Sequence, residues 1–267
     1  MCELFAVSTD QPINLRYELR AFAKHGGGEF RNKDGWGIMF AQEHDAYLFK
    51  EPAAASTSPL EKLVALHAPP SRLVMAHIRL ATAGGALLAN THPFRRTRSG
   101  RVLHFAHNGS LPGLRKRYAR TEIAANCLGD TDSEFAFLLL LDRLLPLEPA
   151  ATPEQRFAVF RQFCAEMREE GTANFLFSDG EQLFVHSDRR RYLADGVFGP
   201  ARSPGLHMRN LDPDEDTWAT RGAHMERAPE NCVLVASVPL DRRAWTELEE
   251  GSTLLIEHGR VRCSAPA

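Results

Sequence analysis

The stretch MCELFAVS (residues 1–8) decides how this chain is read. From Glu3 onward it is a short apolar run of the kind that forms a strand. In front of that run stands a thiol, Cys2, one residue from the first position. Removing Met1 would make Cys2 the N-terminal residue and free its own α-amine. A small residue starting a strand is the plain alternative, so the rest of the chain has to decide between them.

Further β-rich segments follow: GWGIMFA (35–41), AYLFK (46–50), RLVMAHIRLA (72–81) and RVLHFAH (101–107). Later come NFLFS (174–178), QLFVHS (182–187), CVLVAS (232–237) and TLLIEH (253–258). Asp179-Gly180 and His258-Gly259 read as hairpin turns, because such pairs supply positive φ angles. Three helices carry start signals. Ser58-Pro59 with Glu61 opens 58–66, Thr131 with Glu134 opens 131–145, and Thr152-Pro153 with Gln155 opens 152–171, which stops at Gly171. The stripe Phe157, Phe160, Cys164 and Met167 marks Cys164 as core. Residues 15–25 read as a first helix, stopped by Gly26-Gly27-Gly28. The stretch 195–230 has prolines, glycines and little periodicity, and reads as long surface loops, as does 111–130. No repeat or linker divides the 267 residues, so a single domain of sheets and helices is expected.

Composition narrows the function classes. A formal net charge of -2 gives no bulk attraction to nucleic acid or to a membrane surface. The longest uncharged apolar run, FAFLLLL (135–141), falls far short of the roughly 20 residues of a membrane span. The five scattered cysteines form no CxxC, and no secretory leader is visible, so the cytoplasm is expected. No HExxH, Walker or GxGxxG pattern appears, and neither a metal nor a cofactor is expected. A serine-hydrolase GxSxG is also missing.

Three clusters remain. In AHIRLATAGG (76–85) a strand would put His77 and Arg79 on one face; Arg79 is either a strand-end cation or a fork for a carboxylate. In HFAHNGSLPG (104–113) the pair Asn108-Gly109 is either a hairpin turn or two donors for an oxyanion. In GDTDSE (129–134) Asp132 either complements a helix dipole or receives a substrate ammonium group.

Taken in order, Met1-Cys2, GGG…KDGWGI, AHIR, NTHPF, AHNG and TDSE resemble the class II glutamine amidotransferases, members of the N-terminal nucleophile hydrolases. The likeness is greatest to their stand-alone branch of amidotransferases and γ-glutamyl hydrolases. It is strong over the first half and looser in the tail, which includes ASVPLDRRAWTELEEG (236–251). The resemblance implies a four-layer αββα sandwich of the α+β class. It implies Cys2 as nucleophile after loss of Met1, with the freed α-amine as base. An α-amine titrating near 7.7–8.0 suits that task better than a lysine. It further implies Asn108 and Gly109 as the oxyanion hole, Arg79 for the substrate α-carboxylate, Asp132 for the α-ammonium, and Thr82 and His92 in the pocket lining. No synthase domain follows, which leaves any acceptor or partner subunit open. The expected reaction is cleavage of a γ-glutamyl amide through a cysteine thioester. The alternatives are a non-catalytic scaffold with the same fold, or an N-terminal nucleophile amidase for another amide. The loop 111–130, with Arg115, Lys116, Arg117 and Arg120, is either a cover over the pocket or a solvated basic surface.

Overall fold

The computed structural model describes residues 2–17, 34–80, 84–119, 121–194, 197–212, 218–219, 223–225 and 229–267. Two antiparallel sheets face each other. The first contains β1 (Glu3–Ile13), β3 (Trp36–Gln42), β4 (Asp45–Glu51), β5 (Ser71–Ile78), β12 (His207–Asn210), β15 (Cys232–Ala236) and β16 (Thr246–Glu247). Its strand order is β16-β12-β15-β1-β5-β3-β4. The second contains β6 (Phe94–Arg98), β7 (Arg101–Ser110), β8 (Thr172–Ser178), β9 (Gln182–His186), β17 (Thr253–Glu257) and β18 (Arg260–Ala265), in the order β18-β17-β9-β8-β7-β6. A small sheet joins β2 (Leu15–Tyr17) to β13 (Trp218–Ala219) and β14 (Ala223–Met225), and a ribbon pairs β10 (Arg190–Ala194) with β11 (Val197–Arg202).

Alternation along the strands sorts side chains into three cores. Leu4, Ala6, Met39 and Met75 of the first sheet meet Ala106, Leu176, Val185 and Leu254 of the second. The opposite face of the first sheet, with Phe5, Val7, Trp36, Ile38, Val74 and Ile78, packs on Val64 of α1 (Pro59–Leu66). Leu15, Trp218 and Met225 of the small sheet join it there. The chain then forms a one-turn helix, α2 (Leu114–Arg117), before α3 (Asp132–Leu144) and α4 (Pro153–Glu170). These last two cover the second sheet, where Phe105 stacks on Phe137 at 5.3 Å and Phe160 meets Phe184 at 5.6 Å. The result is the αββα order of layers.

The helix starts form as their sequences dictate. Ser58, Thr131 and Thr152 each accept the backbone N–H three residues on. Only Thr152 and Gln155 complete the reciprocal capping box. Glu134 turns instead to the preceding loop, accepting from Leu128 N and Gly129 N and pairing with Arg96. Cys164 is fully buried in the helix-side core, as its stripe implied.

Several expectations are corrected. Residues 15–17 are a strand, because Leu15 is buried and β14 supplies its ladder; the remainder of the expected first helix lies outside the described residues. Within 195–230, β11 to β14 replace part of the expected loop. Their two- to six-residue lengths give no periodicity, and apart from β11 and β13 their ladders come from the distant strands β15 and β2. Of the two readings of Asn108-Gly109, the turn is excluded: both lie inside β7, opposite Asn174 and Ala173. A Cβ on Gly109 would stand 1.9 Å from the Thr172 carbonyl oxygen, so the close strand approach itself requires glycine. The β8–β9 turn has three residues, of which Gly180 takes the positive φ of 96° while Asp179 works through its carboxylate.

That carboxylate is buried, and it accepts from Gln182 N at 2.8 Å and Glu181 N at 3.2 Å while pairing with the buried Arg156 of α4. Arg156 also donates to Ala151 O at 2.9 Å. Removing Arg156 leaves the buried carboxylate only the longer contact to the partly exposed Arg101, at 3.6 Å. Arg156→Ala is therefore expected to lower the unfolding free energy by about 3–5 kcal/mol in urea titration. A loss below about 1 kcal/mol would show that the pair does not anchor the turn.

Candidate active site

The site grows from the first residues of β1. Because β1 is flanked by β5 and β15, with Glu3 opposite Ile78 and Phe5 opposite Ala236, Cys2 is delivered to the end of β5. Its Sγ accepts the Leu80 N–H at 3.2 Å and lies 3.4 Å from the Leu80 carbonyl oxygen. Burial pushes the thiol pKa up, opposed by the Leu80 hydrogen bond and by the positive charge of Arg79. A thiol held neutral in this way needs a base to become a nucleophile.

Arg79 is buried, and its guanidinium donates to the carbonyls of Asp34 (3.3 Å), Gly85 (3.0 Å) and Gly84 (3.3 Å). These bonds join the segment before β3 to the one after β5. Asn90 extends the tie. Its side-chain amide donates to Gly85 O at 3.1 Å and to Asp130 Oδ1 at 2.7 Å, and its Oδ1 accepts from Asp130 N. Two residues on, Asp132 starts α3, and its Oδ2 accepts the Leu111 N–H at 2.6 Å, just past β7.

Asn108 faces the space between the sheets, as its neighbour Ala106 does. Its Nδ2 donates to Ser237 Oγ at 3.2 Å, and that oxygen also takes the Leu4 N–H at 3.0 Å. The Asn108 carbonyl accepts from Asn174 Nδ2 at 2.8 Å. Cys2, Arg79, Asn108, Gly109 and Asp132 therefore belong to one connected end of the sandwich. Thr82 lies outside the described residues. His92 follows the turn after Asn90 and packs its ring, tilted, against His77 at 4.2 Å and Phe94 at 4.3 Å, so it lies against β5 on the face that carries Arg79. A cavity of about 460 Å³ opens at the other end, among Ser8, Thr9, Ser71 and Arg72, and none of the predicted residues lines it.

Sequence reading missed Ser237, Asn90, Asn174 and Arg190. The serine of ASVPL carried no signal beyond ending a strand; only the folded chain brings it to Asn108 across 129 residues.

The family follows from the comparisons. A family model described as "Glutamine amidotransferases class-II" matches residues 1–267. The chain belongs to the class II glutamine amidotransferases. Among relatives of this amidotransferase, an Escherichia coli K12 protein named "Putative glutamine amidotransferase YafJ" is 38% identical over 190 residues, 70% of this chain and 72% of its own. A crystal structure from Pseudomonas aeruginosa, described as a predicted glutamine amidotransferase, superposes with a TM-score of 0.69 at 27% identity, covering 98% of this chain and all of the other. The fold extends to a Bacillus subtilis glutamine PRPP amidotransferase, with a TM-score of 0.60 at 14% identity over 99% of this chain and 49% of that one.

Several histidines of this amidotransferase are buried and held neutral. Burial is the main cause in each: it lowers His77 to about 3, His104 and His186 to about 4, and His92 and His107 below the usual value. Unfolding exposes imidazoles that titrate near 6.5. Their native-state neutrality costs nothing above that pH, and stability falls as pH drops from 6.5 toward about 4. Urea unfolding over this window should show net proton uptake of more than one. A flat profile between pH 6.5 and 4.5 would contradict the buried neutral assignments.

Proposed function

We propose that this amidotransferase hydrolyses the γ-glutamyl amide of glutamine or of a related γ-glutamyl compound through a Cys2 thioester. The observation that carries the reading is the meeting of Cys2 Sγ, lodged on Leu80 N–H beside Arg79, with the Asn108 amide tied through Ser237 to Leu4. Nucleophile, cation and amide donor thereby share one end of the sandwich.

After Met1 is cleaved, the Cys2 α-amine takes the Sγ proton, and the thiolate forms a bond to the γ-carbonyl carbon. Negative charge moves to the carbonyl oxygen, where the Asn108 amide and the Gly109 N–H serve as donors. The protonated α-amine passes its proton to the leaving nitrogen as the C–N bond breaks. The amine then deprotonates a water, which attacks the thioester and releases the γ-carboxylate with Sγ restored. Base and nucleophile on one residue need no separate positioning. Arg79 receives the substrate α-carboxylate, a stronger acceptor than the loop carbonyls it holds here. Asp132 receives the α-ammonium, and Thr82 and His92 line the pocket. Opposite charges on Arg79 and Asp132 complement a zwitterionic head group, which favours an amino-acid-like substrate over other amides.

Released ammonia or amine would go to solvent or to an acceptor subunit. No described helix is long and apolar enough to cross a membrane, and we place the reaction in the cytoplasm.

Intact mass should show Met1 absent, and a glutamine-analogue chloroketone or diazoketone should add once, at Cys2. Asn108→Ala should lower glutamine turnover about 10²–10³-fold while the thermal midpoint changes little. Labelling at another cysteine, or full turnover by Asn108→Ala, would refute the assignment. A panel of glutamine, glutathione and other γ-glutamyl compounds then selects the substrate.

A further inference from the structure

Ser237 holds a position that the reaction above leaves without a task. Its side chain is fully buried, at the polar end of a seam between two sheets that is apolar along most of its length. Its three polar backbone and side-chain atoms are all engaged. The N–H donates to Leu4 O at 2.9 Å, Oγ accepts from both Leu4 N and Asn108 Nδ2, and the carbonyl accepts from Arg190.

Arg190 is a buried guanidinium whose charge faces the buried carboxyl of Glu3, the residue next to Cys2. Burial raises Glu3 to about 7, and the positive charge of Arg190 opposes that rise. A buried guanidinium is thus spent on the backbone of one serine, at a desolvation cost that packing alone does not explain.

The geometry points to Ser237 as the positioning residue of the oxyanion hole: its hydroxyl fixes the Asn108 amide and references it to the strand that carries Cys2. The inference rests on the proposed role of Asn108. An amide has two N–H groups. Accepting one at Ser237 Oγ sets the plane of the amide, and the second N–H then has a fixed direction. The same oxygen takes the N–H of Leu4, two residues beyond the nucleophile and on the same face of β1 as Cys2. Nucleophile and oxyanion donor, which stand on different sheets, are therefore registered through one atom. Without it the amide could rotate about its side-chain torsions, and the donor would meet the developing oxyanion at the wrong angle.

The test compares Ser237→Ala, Asn108→Ala and the double variant, with the isosteric pair Ser237→Thr and Ser237→Val. Each is assayed for glutamine hydrolysis, for inhibition by the γ-aldehyde of glutamate, and for stoichiometric Cys2 labelling. The aldehyde takes up the thiol as a hemithioacetal and so reports on the oxyanion hole.

Ser237→Ala should lower kcat about tenfold to hundredfold, less than the 10²–10³-fold expected for deleting the donor. KM should stay within about threefold, and aldehyde inhibition should weaken by the same factor as kcat, since both read the same oxyanion contact. The double variant should be no slower than Asn108→Ala, because Ser237 acts through Asn108. Thr should retain most activity and Val should match Ala; this pair shares any steric cost, and it decides the matter if Ala fails to fold. A role in folding alone would lower the labelled fraction and leave kcat per labelled site unchanged. Unchanged aldehyde affinity, additive losses in the double variant, or equal activity of Thr and Val would overturn the inference while wild-type turnover still upheld the reaction. Wild-type protein with neither turnover nor Cys2 labelling would overturn both.

Discussion

The two-residue period of β1 is the constraint on which the rest depends. Cys2, Leu4 and Ala6 point between the sheets, and Glu3, Phe5 and Val7 point to the outer core. Shifting the register by one residue would bury the thiol against the outer layer and bring Glu3 to the face between the sheets. The register is secured on both sides, by β15 from Phe5 to Thr9 and by β5 from Glu3 to Ser8. A residue so near the start of a chain would ordinarily fray. Here a central strand of a seven-stranded sheet holds it.

The seam between the sheets is apolar along most of its length and polar at one end. Asn108, Ser237 and Asn174 are buried there or beside it and joined by hydrogen bonds. Buried polar groups are tolerated when they are hydrogen-bonded, and a connected set specifies a unique arrangement. Arg79 and Asn90 extend the set to segments with no regular structure of their own, through bonds to backbone carbonyls at Gly84 and Gly85. Loops around the site therefore take their shape from buried side chains, Arg79 just past the end of β5 and Asn90 in the turn before β6. Glu134, with Leu128, Gly129 and Arg96, does the same on the α3 side.

Much of this was legible in the sequence because it is local. The nine strands read from apolar runs are present, the three capped helices begin where Ser58, Thr131 and Thr152 place them, and Cys164 sits in the core its stripe implied. Motif order pointed to the family and, through it, to four layers. The weak points were segments whose pairing partners lie far away. Leu15–Tyr17 depends on β14, and His207–Asn210 depends on β15; neither partner leaves a trace in the local pattern. Asn108-Gly109 leaves a turn open as one of two readings because that dipeptide usually makes one, and β8 overrode the preference by continuing the ladder to Ser110.

By itself the sequence determined the alternation of faces, the helix starts, and the set of residue types from which a nucleophile, a cation, an amide and a carboxylate could be drawn. These are properties of neighbours along the chain, governed by side-chain period and capping. Only the tertiary structure decided that Cys2 rests on Leu80, that Glu134 serves a loop instead of its own cap, and that Ser237 joins Leu4 to Asn108. Those contacts span from five to 233 residues. The long ones exist because sheet pairing brings together atoms that no local rule relates.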